Sequence, residues 1–205
     1  MNQTPLAITI SRQLGSGGAY IGQQLAKKLN IYYADHEIIR KTSKMLSVSE
    51  ADVMSNEEKT QSLWKYFVQL NTFASEAYIP LQPEPTDSDL YDAESEVIEC
   101  IAKAHSAVII GRCGFHVLRN YPNRVSIYLH GEESFRAKRI QKMHNITEQA
   151  ARQMLAKSDK ERAHYIETFT GHKWSDARLY DLCIDTSKVG LDNSVDLILN
   201  YLEMR

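Results

Sequence analysis

The chain has few cysteines, no excess of basic charge and no long apolar run, and each shortage excludes a class of protein. Cys100, Cys113 and Cys183 lack the spacing of a zinc site or a disulfide framework, which favours reduced thiols. The net charge is −2, so no global basic field attracts nucleic acid or an anionic membrane. The first residues lack a basic segment followed by an apolar one, and no apolar run approaches a membrane span. We therefore expect a cytoplasmic protein without a nucleic-acid or membrane partner.

A glycine-rich loop near the start of the chain is its most informative feature. A β-branched run at residues 8–10 predicts a strand, and an apolar row within residues 21–29 repeats at helical spacing. A turn between a strand and a helix directs backbone N–H groups and the positive end of the helix dipole at one point, which favours a phosphate group. The residues predicted to bind that phosphate are Gly15, Ser16, Gly17, Gly18, Ala19 and Tyr20.

The loop is similar to a Walker A element, but two of the chemical parts are missing. A Walker loop reads Gly, four residues, Gly, Lys, and then Ser or Thr. In that register Gly17 falls on the second glycine, Gly18 on the lysine, and Tyr20 near the hydroxyl residue that holds magnesium. Arg12 is the nearest candidate to supply the lysine's charge, with a surface or helix-pairing arginine as the alternative. A dinucleotide-binding fingerprint fits less well, because Tyr20 stands where its third glycine is needed.

Strand candidates recur along the chain with helical stretches between them, which predicts a doubly wound α/β fold with a five-stranded parallel sheet. The long interval at about residues 41–104 predicts a helical lobe inserted into a single domain, whose core comprises about residues 1–40 and 105–205. Within the insert, residues 80–89 carry three prolines and several acidic residues and predict an exposed loop. The predicted strands are Leu6–Ser11, Ile31–Ala34, Ala107–Ile110, Val125–Leu129 and Leu182–Asp185.

Two of the predicted strands end next to residues that suit a ligand crevice. Asp35 and Arg40 follow the second strand and could face an acceptor nucleotide; alternatively, Asp35 caps the next helix and Arg40 lies on its solvent side. The third strand runs into Gly111 and Arg112, which places a guanidinium group at the crevice mouth. Gly111 and Gly114 flank this arginine, which indicates that the backbone approaches another group closely.

A carboxylate and a guanidinium share one face of a later predicted helix, Glu148–Tyr165. Asp159 and Arg162 are three residues apart, so their side chains are neighbours. The arginine could hold a phosphate while Asp159 orients an acceptor base or the arginine itself. An ordinary surface ion pair explains the same spacing.

A basic group follows the fourth predicted strand, at residues 136–142. Arg136 and Arg139 lie on one side of the predicted helix, with Lys138 and Lys142 nearby. This group could neutralise a polyphosphate if a lid folded over it, and the alternative is a solvated helix face.

Together these positions resemble the cytidylate kinase-like branch of the P-loop nucleoside monophosphate kinases, over nearly the whole chain. The resemblance implies a P-loop kinase fold with a lid at about residues 141–172, ATP and Mg²⁺ as cofactors, and a small phosphorylated acceptor such as a pyrimidine nucleoside monophosphate. It implies that Arg40, Arg112 and Arg162 hold the acceptor's phosphate, and that Asp159 meets the cytosine-ribose end. Catalysis would rest on positioning and charge neutralisation, without a covalent intermediate.

The chain also departs from that family. Gly18 stands where lysine is expected, and Cys113 replaces the aspartate of the Gly-Arg-Asp triplet that cytidylate kinases carry after the third strand. The loop Ser-Arg-Gln-x-Gly-Ser-Gly-Gly instead looks like the form typical of an uncharacterised cytidylate kinase-like subgroup. Three functions therefore stay open: a nucleoside monophosphate kinase, a non-catalytic nucleotide sensor, and a kinase of another small metabolite. The sequence predicts no oligomeric state.

Overall fold

A computed structural model of the protein describes residues 4–35 and 87–205. In these residues five parallel strands form one sheet in the order β2-β3-β1-β4-β5. Each predicted strand boundary lies within one residue of the observed boundary, so the predicted five-stranded parallel sheet is confirmed. The strands are β1 (Ala7–Arg12), β2 (Tyr32–Ala34), β3 (Ala107–Ile110), β4 (Arg124–His130) and β5 (Leu182–Asp185).

Helices connect and cover these strands. The predicted helix Glu148–Tyr165 continues to Thr170, where Gly171 takes a left-handed conformation (φ 70°) and ends it. The helices of the described residues are α1 (Gly18–Leu29), α2 (Asp87–Ala104), α3 (Gly114–Val117), α4 (Glu133–His144), α5 (Glu148–Thr170), α6 (Thr186–Val189) and α7 (Leu191–Glu203), with a short 3₁₀ helix at Ala177–Leu179.

The inserted lobe is described only in part. Residues 41–86 and Arg40 lie outside the described residues. The loop predicted for residues 80–89 is wrong at its last three positions, because α2 begins at Asp87. Acidic residues favour the first turn of a helix, where they meet the positive end of the helix dipole, and this preference outweighs the polar composition that indicated a loop.

The sheet is buried on both faces, as its apolar strands require. Alternate residues of β1 point to opposite faces: Ile8 and Ile10 lie in the core under α1 and α7, and Ala7 lies in the core under α2. The first core is completed by Ile21 and Leu25 of α1 with Val195 and Ile198 of α7, and the second by Val97, Ile98 and Ile101 of α2.

One edge of the sheet collects the residues predicted to carry function. Because the strands are parallel, Arg12 at the end of β1, Asp35 after β2 and Arg112 after β3 leave the sheet on the same side. Helix α5 reaches this edge, where Nη1 of Arg162 donates to the backbone carbonyl of Arg12 at 3.1 Å. The fold therefore forms a crevice at the carboxyl ends of the central strands.

Replacing Leu25 by alanine tests the packing of α1 on the sheet. Leu25 is fully buried, so Leu25→Ala should lower the free energy of unfolding by about 3 kcal/mol through lost burial and a residual cavity. Leu197→Ala is the matched control, because Leu197 is 42% exposed on α7 and its truncation should cost less than about 0.5 kcal/mol. Urea denaturation measures both, and equal losses would contradict this assignment of the core.

Candidate functional site

The glycine loop connects β1 to α1 and is shaped by two left-handed glycines. Gly15 has φ 79° and Gly17 has φ 88°, conformations that other residues adopt at a cost. A Cβ at Gly15 would lie 2.8 Å from the carbonyl oxygen of Arg136, so the loop also packs closely on α4. The first turn of α1 has neither a side-chain cap nor an acidic residue. Its amide N–H groups are therefore suited to receive an anion.

The hydroxyl groups of the loop are already used within the protein. Ser16 is buried and its Oγ donates to the carbonyl of Gln13 at 2.8 Å. The hydroxyl of Tyr20 donates to Asp192 Oδ1 at 2.6 Å, and this hydrogen bond raises the pKa of Tyr20. Ser16 thus stabilises the turn, and Tyr20 ties α1 to α7.

A cavity of about 270 Å³ lies over the loop. Gly15, Gly17, Gly18, Ala19 and Tyr20 line one side of it. Its other walls include Arg12, Tyr33, Asp35, Arg139, Met143, His144 and Arg162. We call it the loop cavity.

Arg139 lines the loop cavity and also forms a hydrogen bond with the glycine loop. Its Nε donates to the carbonyl oxygen of Gly15 at 3.0 Å. The rest of the guanidinium group brings positive charge beside the glycines, and its predicted contact with a polyphosphate stays a prediction.

A second cavity of about 340 Å³ adjoins the first, because both are lined by Arg12 and Arg162. We call it the arginine cavity, since Arg112 lines it as well. Its remaining walls are Ser11, Gly111, Cys113, Ser158, Glu161, Tyr165, Ile166 and Trp174. The structure thus brings together Arg112 and Arg162, two of the three arginines predicted to hold an acceptor phosphate. The third, Arg40, lies outside the described residues.

Arg12 crosses between the two cavities over a pair of glycines. A Cβ at Gly18 would come within 2.6 Å of Arg12 Cγ, and one at Gly111 would meet Nη1 of the same side chain. The stem of Arg12 therefore runs along the start of α1, and its guanidinium group rests on the backbone after β3. Both glycines are needed because any larger residue would displace this arginine.

Within residues 4–35 and 87–205, the charge of Arg12 has no fixed partner. Its guanidinium group makes neither a hydrogen bond nor an ion pair with any residue in 4–35 or 87–205. Burial and, next, repulsion from Arg162 lower the pKa of Arg12 to about 9. Tyr33 and Asp35 act in the opposite direction, and Arg112 adds a smaller lowering effect. Burial also lowers the pKa of Arg162. An anion bound beside these groups would relieve the repulsion.

Arg112 belongs to a strained turn. Gly111, Arg112 and Cys113 are consecutive and left-handed, with φ of 79°, 49° and 54°. Such conformations cost about 1–3 kcal/mol for residues other than glycine, and they cluster at functional sites. Burial raises the pKa of the Cys113 thiol to about 12, and Cys113 packs in a core cluster with Phe115 and Tyr128.

Glu94, a carboxylate that contacts Arg112, was not among the residues predicted from the sequence. Glu94 lies on α2, is 1% exposed, and its Oε1 is 3.3 Å from Nε of Arg112. The hydroxyl of Tyr165 donates to its Oε2 at 3.0 Å, and the Arg112 guanidinium lies 5.5 Å from the centre of the Tyr165 ring. A signal was present, because residue 94 falls on the apolar row of Val97, Ile98 and Ile101.

Asp159 and Arg136 hold the glycine loop in place. Asp159 Oδ1 accepts from the backbone N–H of Leu14 at 3.0 Å, and Oδ2 pairs with Nη1 of Arg136 at 2.7 Å. Arg136 also donates to the carbonyls of Leu14 and Gly131. Neither residue lines the two cavities described above. Their predicted contacts with acceptor and polyphosphate stay predictions, and here both side chains are used to fix the loop.

The family model that describes the "Cytidylate kinase-like family" matches residues 7–188 of this chain. The chain belongs to the cytidylate kinase-like family. Among curated proteins, a cytidylate kinase of Saccharolobus islandicus is 31% identical over 113 residues, which cover 54% of this chain and 58% of that protein. The chain thus spans a little over half the length of the curated relatives it matches.

Solved structures agree with this membership at the level of the fold. An uncharacterised protein from Eubacterium ventriosum superposes with a TM-score of 0.74 and 26% identity, covering 98% of this chain and 99% of that one. A shikimate kinase from Acinetobacter baumannii, solved with shikimate, superposes with a TM-score of 0.52 and 15% identity, covering 98% of this chain and 95% of that one. A likeness at this identity shows the fold alone. No helix within the described ranges is long and apolar enough to cross a membrane.

Replacing Asp159 by alanine tests whether this member of the cytidylate kinase-like family depends on the ion pair that fixes its loop. Asp159→Ala leaves the buried guanidinium of Arg136 unpaired and should lower the free energy of unfolding by about 3 kcal/mol. Glu148→Ala removes one of the two exposed acidic partners of Arg152 and should cost less than about 1 kcal/mol. Chemical denaturation compares the two variants, and equal losses would show that the loop does not depend on Asp159.

Proposed function

We propose that this protein is a kinase that transfers the terminal phosphoryl group of ATP to a small acceptor that already carries a phosphate group. A pyrimidine nucleoside monophosphate is the first candidate acceptor. The observation that carries the proposal is the pair of adjoining cavities that share Arg12 and Arg162. Family membership supports the same reaction class.

This arrangement suits phosphoryl transfer. The reaction needs donor and acceptor held in line and cations around the transferred group, with little covalent chemistry by the protein. The loop cavity offers backbone N–H groups and Arg139 for the donor's phosphates. The arginine cavity offers Arg112 for the acceptor's phosphate. Arg12 and Arg162 border both cavities, so the transferred group would pass beside them.

Arg12 takes the place of the Walker lysine in this proposal. In the Walker register it occupies the first glycine's position, and Gly18 occupies the lysine's position. The arginine at position 12 and the glycine at position 18 are sterically linked. Arg12 Cγ fills the space next to Gly18 that a side chain at position 18 would need. The chain has thus kept one cation at the loop and moved its attachment from the helix to the strand.

Magnesium would accompany the nucleotide. Ala19 stands at the position of the usual loop ligand and has no hydroxyl group, and the nearby Ser16 is buried within the turn. Asp35 is a carboxylate in the wall of the loop cavity and suits a Mg²⁺ ion that is held mainly by phosphates and water. When bound, the ion would neutralise charge on the donor's phosphates.

A non-catalytic nucleotide sensor is the second candidate function. The observation that favours it is the loss of both Walker side chains at Gly18 and Ala19. A coupled assay of ADP formation from ATP with Mg²⁺, run with a panel of nucleoside monophosphates and small metabolites, separates the two. The kinase predicts ADP that depends on one acceptor class. ATP binding without ADP formation with every acceptor would support the sensor and contradict the kinase.

Arg12→Ala should lower turnover by about 100-fold or more, the effect of losing one preorganised donor to a developing charge. Arg178→Ala is the matched control, because the Arg178 side chain is 88% exposed, and it should keep turnover. The double exchange Arg12→Gly with Gly18→Lys returns the cation to the helix and should recover part of the lost activity. Gly18→Lys alone should be poorly tolerated, because it meets the Arg12 side chain.

These variants are measured by single-turnover kinetics, with circular dichroism as the check on folding. Full turnover in Arg12→Ala would contradict the role given to Arg12. Equal turnover of Gly18→Lys with and without Arg12→Gly would contradict the steric link between the two positions.

A further inference from the structure

Glu94 is a buried charge at the meeting point of three elements. Its carboxylate, on α2, contacts Nε of Arg112 after β3 and accepts the hydroxyl hydrogen of Tyr165 on α5. Only 1% of Glu94 is exposed, whereas 20% of the Arg112 side chain is. The carboxylate therefore lies behind the arginine, on the side away from solvent.

Stability alone does not explain a carboxylate at this position. Removing a carboxylate from water costs several kcal/mol, and well-packed apolar residues in place of a buried ion pair are often equally stable or more so. Glu94 sits on the apolar row that includes Val97 and Ile98, where an apolar residue would extend the core. Among the described residues Arg112 is the cation that pairs with this carboxylate, which connects the buried charge with the arginine cavity.

Arg112 needs an opposing force to stay in the crevice. Arg12 and Arg112 carry like charges and line one cavity, so their mutual repulsion opposes a fixed position of Arg112 there. Glu94 attracts Arg112 through Nε, which leaves other N–H donors of the guanidinium group for a ligand. The Tyr165 ring supports the same group from one face at 5.5 Å.

We propose that Glu94 is a positioning residue that holds Arg112 in the arginine cavity, with Tyr165 fixing the carboxylate. The inference rests on the proposed function, in which Arg112 holds the phosphate of the acceptor. It adds that the end of the inserted lobe, through α2, sets acceptor affinity without touching the acceptor.

Two effects of removing the Glu94 charge have opposite signs. A phosphate is repelled by a nearby carboxylate, so a purely electrostatic role predicts that Glu94→Gln binds the acceptor more tightly. A positioning role predicts weaker binding, because Arg112 then leaves the geometry that matches the phosphate. The direction of the change therefore distinguishes the two roles.

The test compares Glu94→Gln with Glu99→Gln in the full-length protein. Glu99 lies on the same helix in an exposed pair with Lys103, so the control makes the same chemical change without touching Arg112. Calorimetry measures the affinity for CMP, and steady-state kinetics measure KM for CMP and for ATP. Glu94→Gln should weaken CMP binding and raise its KM by about tenfold or more, with the KM for ATP within about twofold of wild type. Glu99→Gln should leave the affinity for CMP and the KM values for CMP and ATP unchanged.

A second comparison separates positioning from a general effect on folding. In an Arg112→Ala background, Glu94→Gln should cause no further loss of CMP affinity, because its effect passes through Arg112. Tyr165→Phe keeps every charge and should weaken CMP binding less than Glu94→Gln does. If Glu94→Gln does not fold, Tyr165→Phe carries the test, and unchanged CMP affinity in that variant would overturn the inference.

The outcomes also separate this inference from the proposed function. Unchanged or tighter CMP binding by a folded Glu94→Gln overturns the inference and leaves the kinase proposal standing. If wild type binds CMP but forms no ADP with any acceptor, the kinase proposal fails and the affinity of Glu94→Gln still decides the role of Glu94. If wild type binds neither CMP nor inorganic phosphate, the arginine cavity is not an acceptor site and both fail.

Discussion

The concentration of positive charge at the carboxyl edge of the sheet is the constraint on which the rest of the site depends. Arg12, Arg112 and Arg162 line one cavity, and burial and mutual repulsion lower the pKa of Arg12. Guanidinium groups crowded in this way are stable only beside fixed carboxylates or a bound anion. The glycines at positions 18 and 111 follow from the same constraint, because they make the space in which Arg12 can lie. Such a crevice suits the ligand with several negative charges that the proposed function requires.

Charged residues of the same type have two different tasks in this site. Arg136 is buried and its hydrogen bonds go to Asp159 and to backbone carbonyls, so it keeps the glycine loop in shape. Arg12 lacks such partners in the described ranges, and the proposed function uses its guanidinium group to bind the ligand. Glu94 and Asp159 are the corresponding carboxylates: one holds a cation at the cavity, the other holds the loop. Burial and hydrogen-bond partners, more than residue type, separate the supporting residues from the binding residues.

The sheet was predictable because its strands are short, apolar and bounded by glycine or polar residues, a pattern that local sequence determines. The arrangement of side chains around the crevice was less predictable from the sequence. Asp159 and Arg162 share a helix face, yet Asp159 turns to Leu14 and Arg162 to Arg12, a choice made by loop packing and not by spacing. Glu94 was not predicted because its role depends on contacts with Arg112 and Tyr165, which are distant in the sequence. Contacts between residues far apart in the chain were thus the part that the sequence pattern could not supply.

In the proposed function the two cavities form one path for a phosphoryl group, with Arg12 and Arg162 at their junction. The most direct measurement is the affinity for a bisubstrate analogue in which adenosine and cytidine are joined by a polyphosphate bridge. If the cavities are continuous, one molecule fills both and binds at least about 100-fold more tightly than ATP, since the second half binds at high effective concentration. An analogue that binds no more tightly than ATP, and does not compete with CMP, would contradict the account.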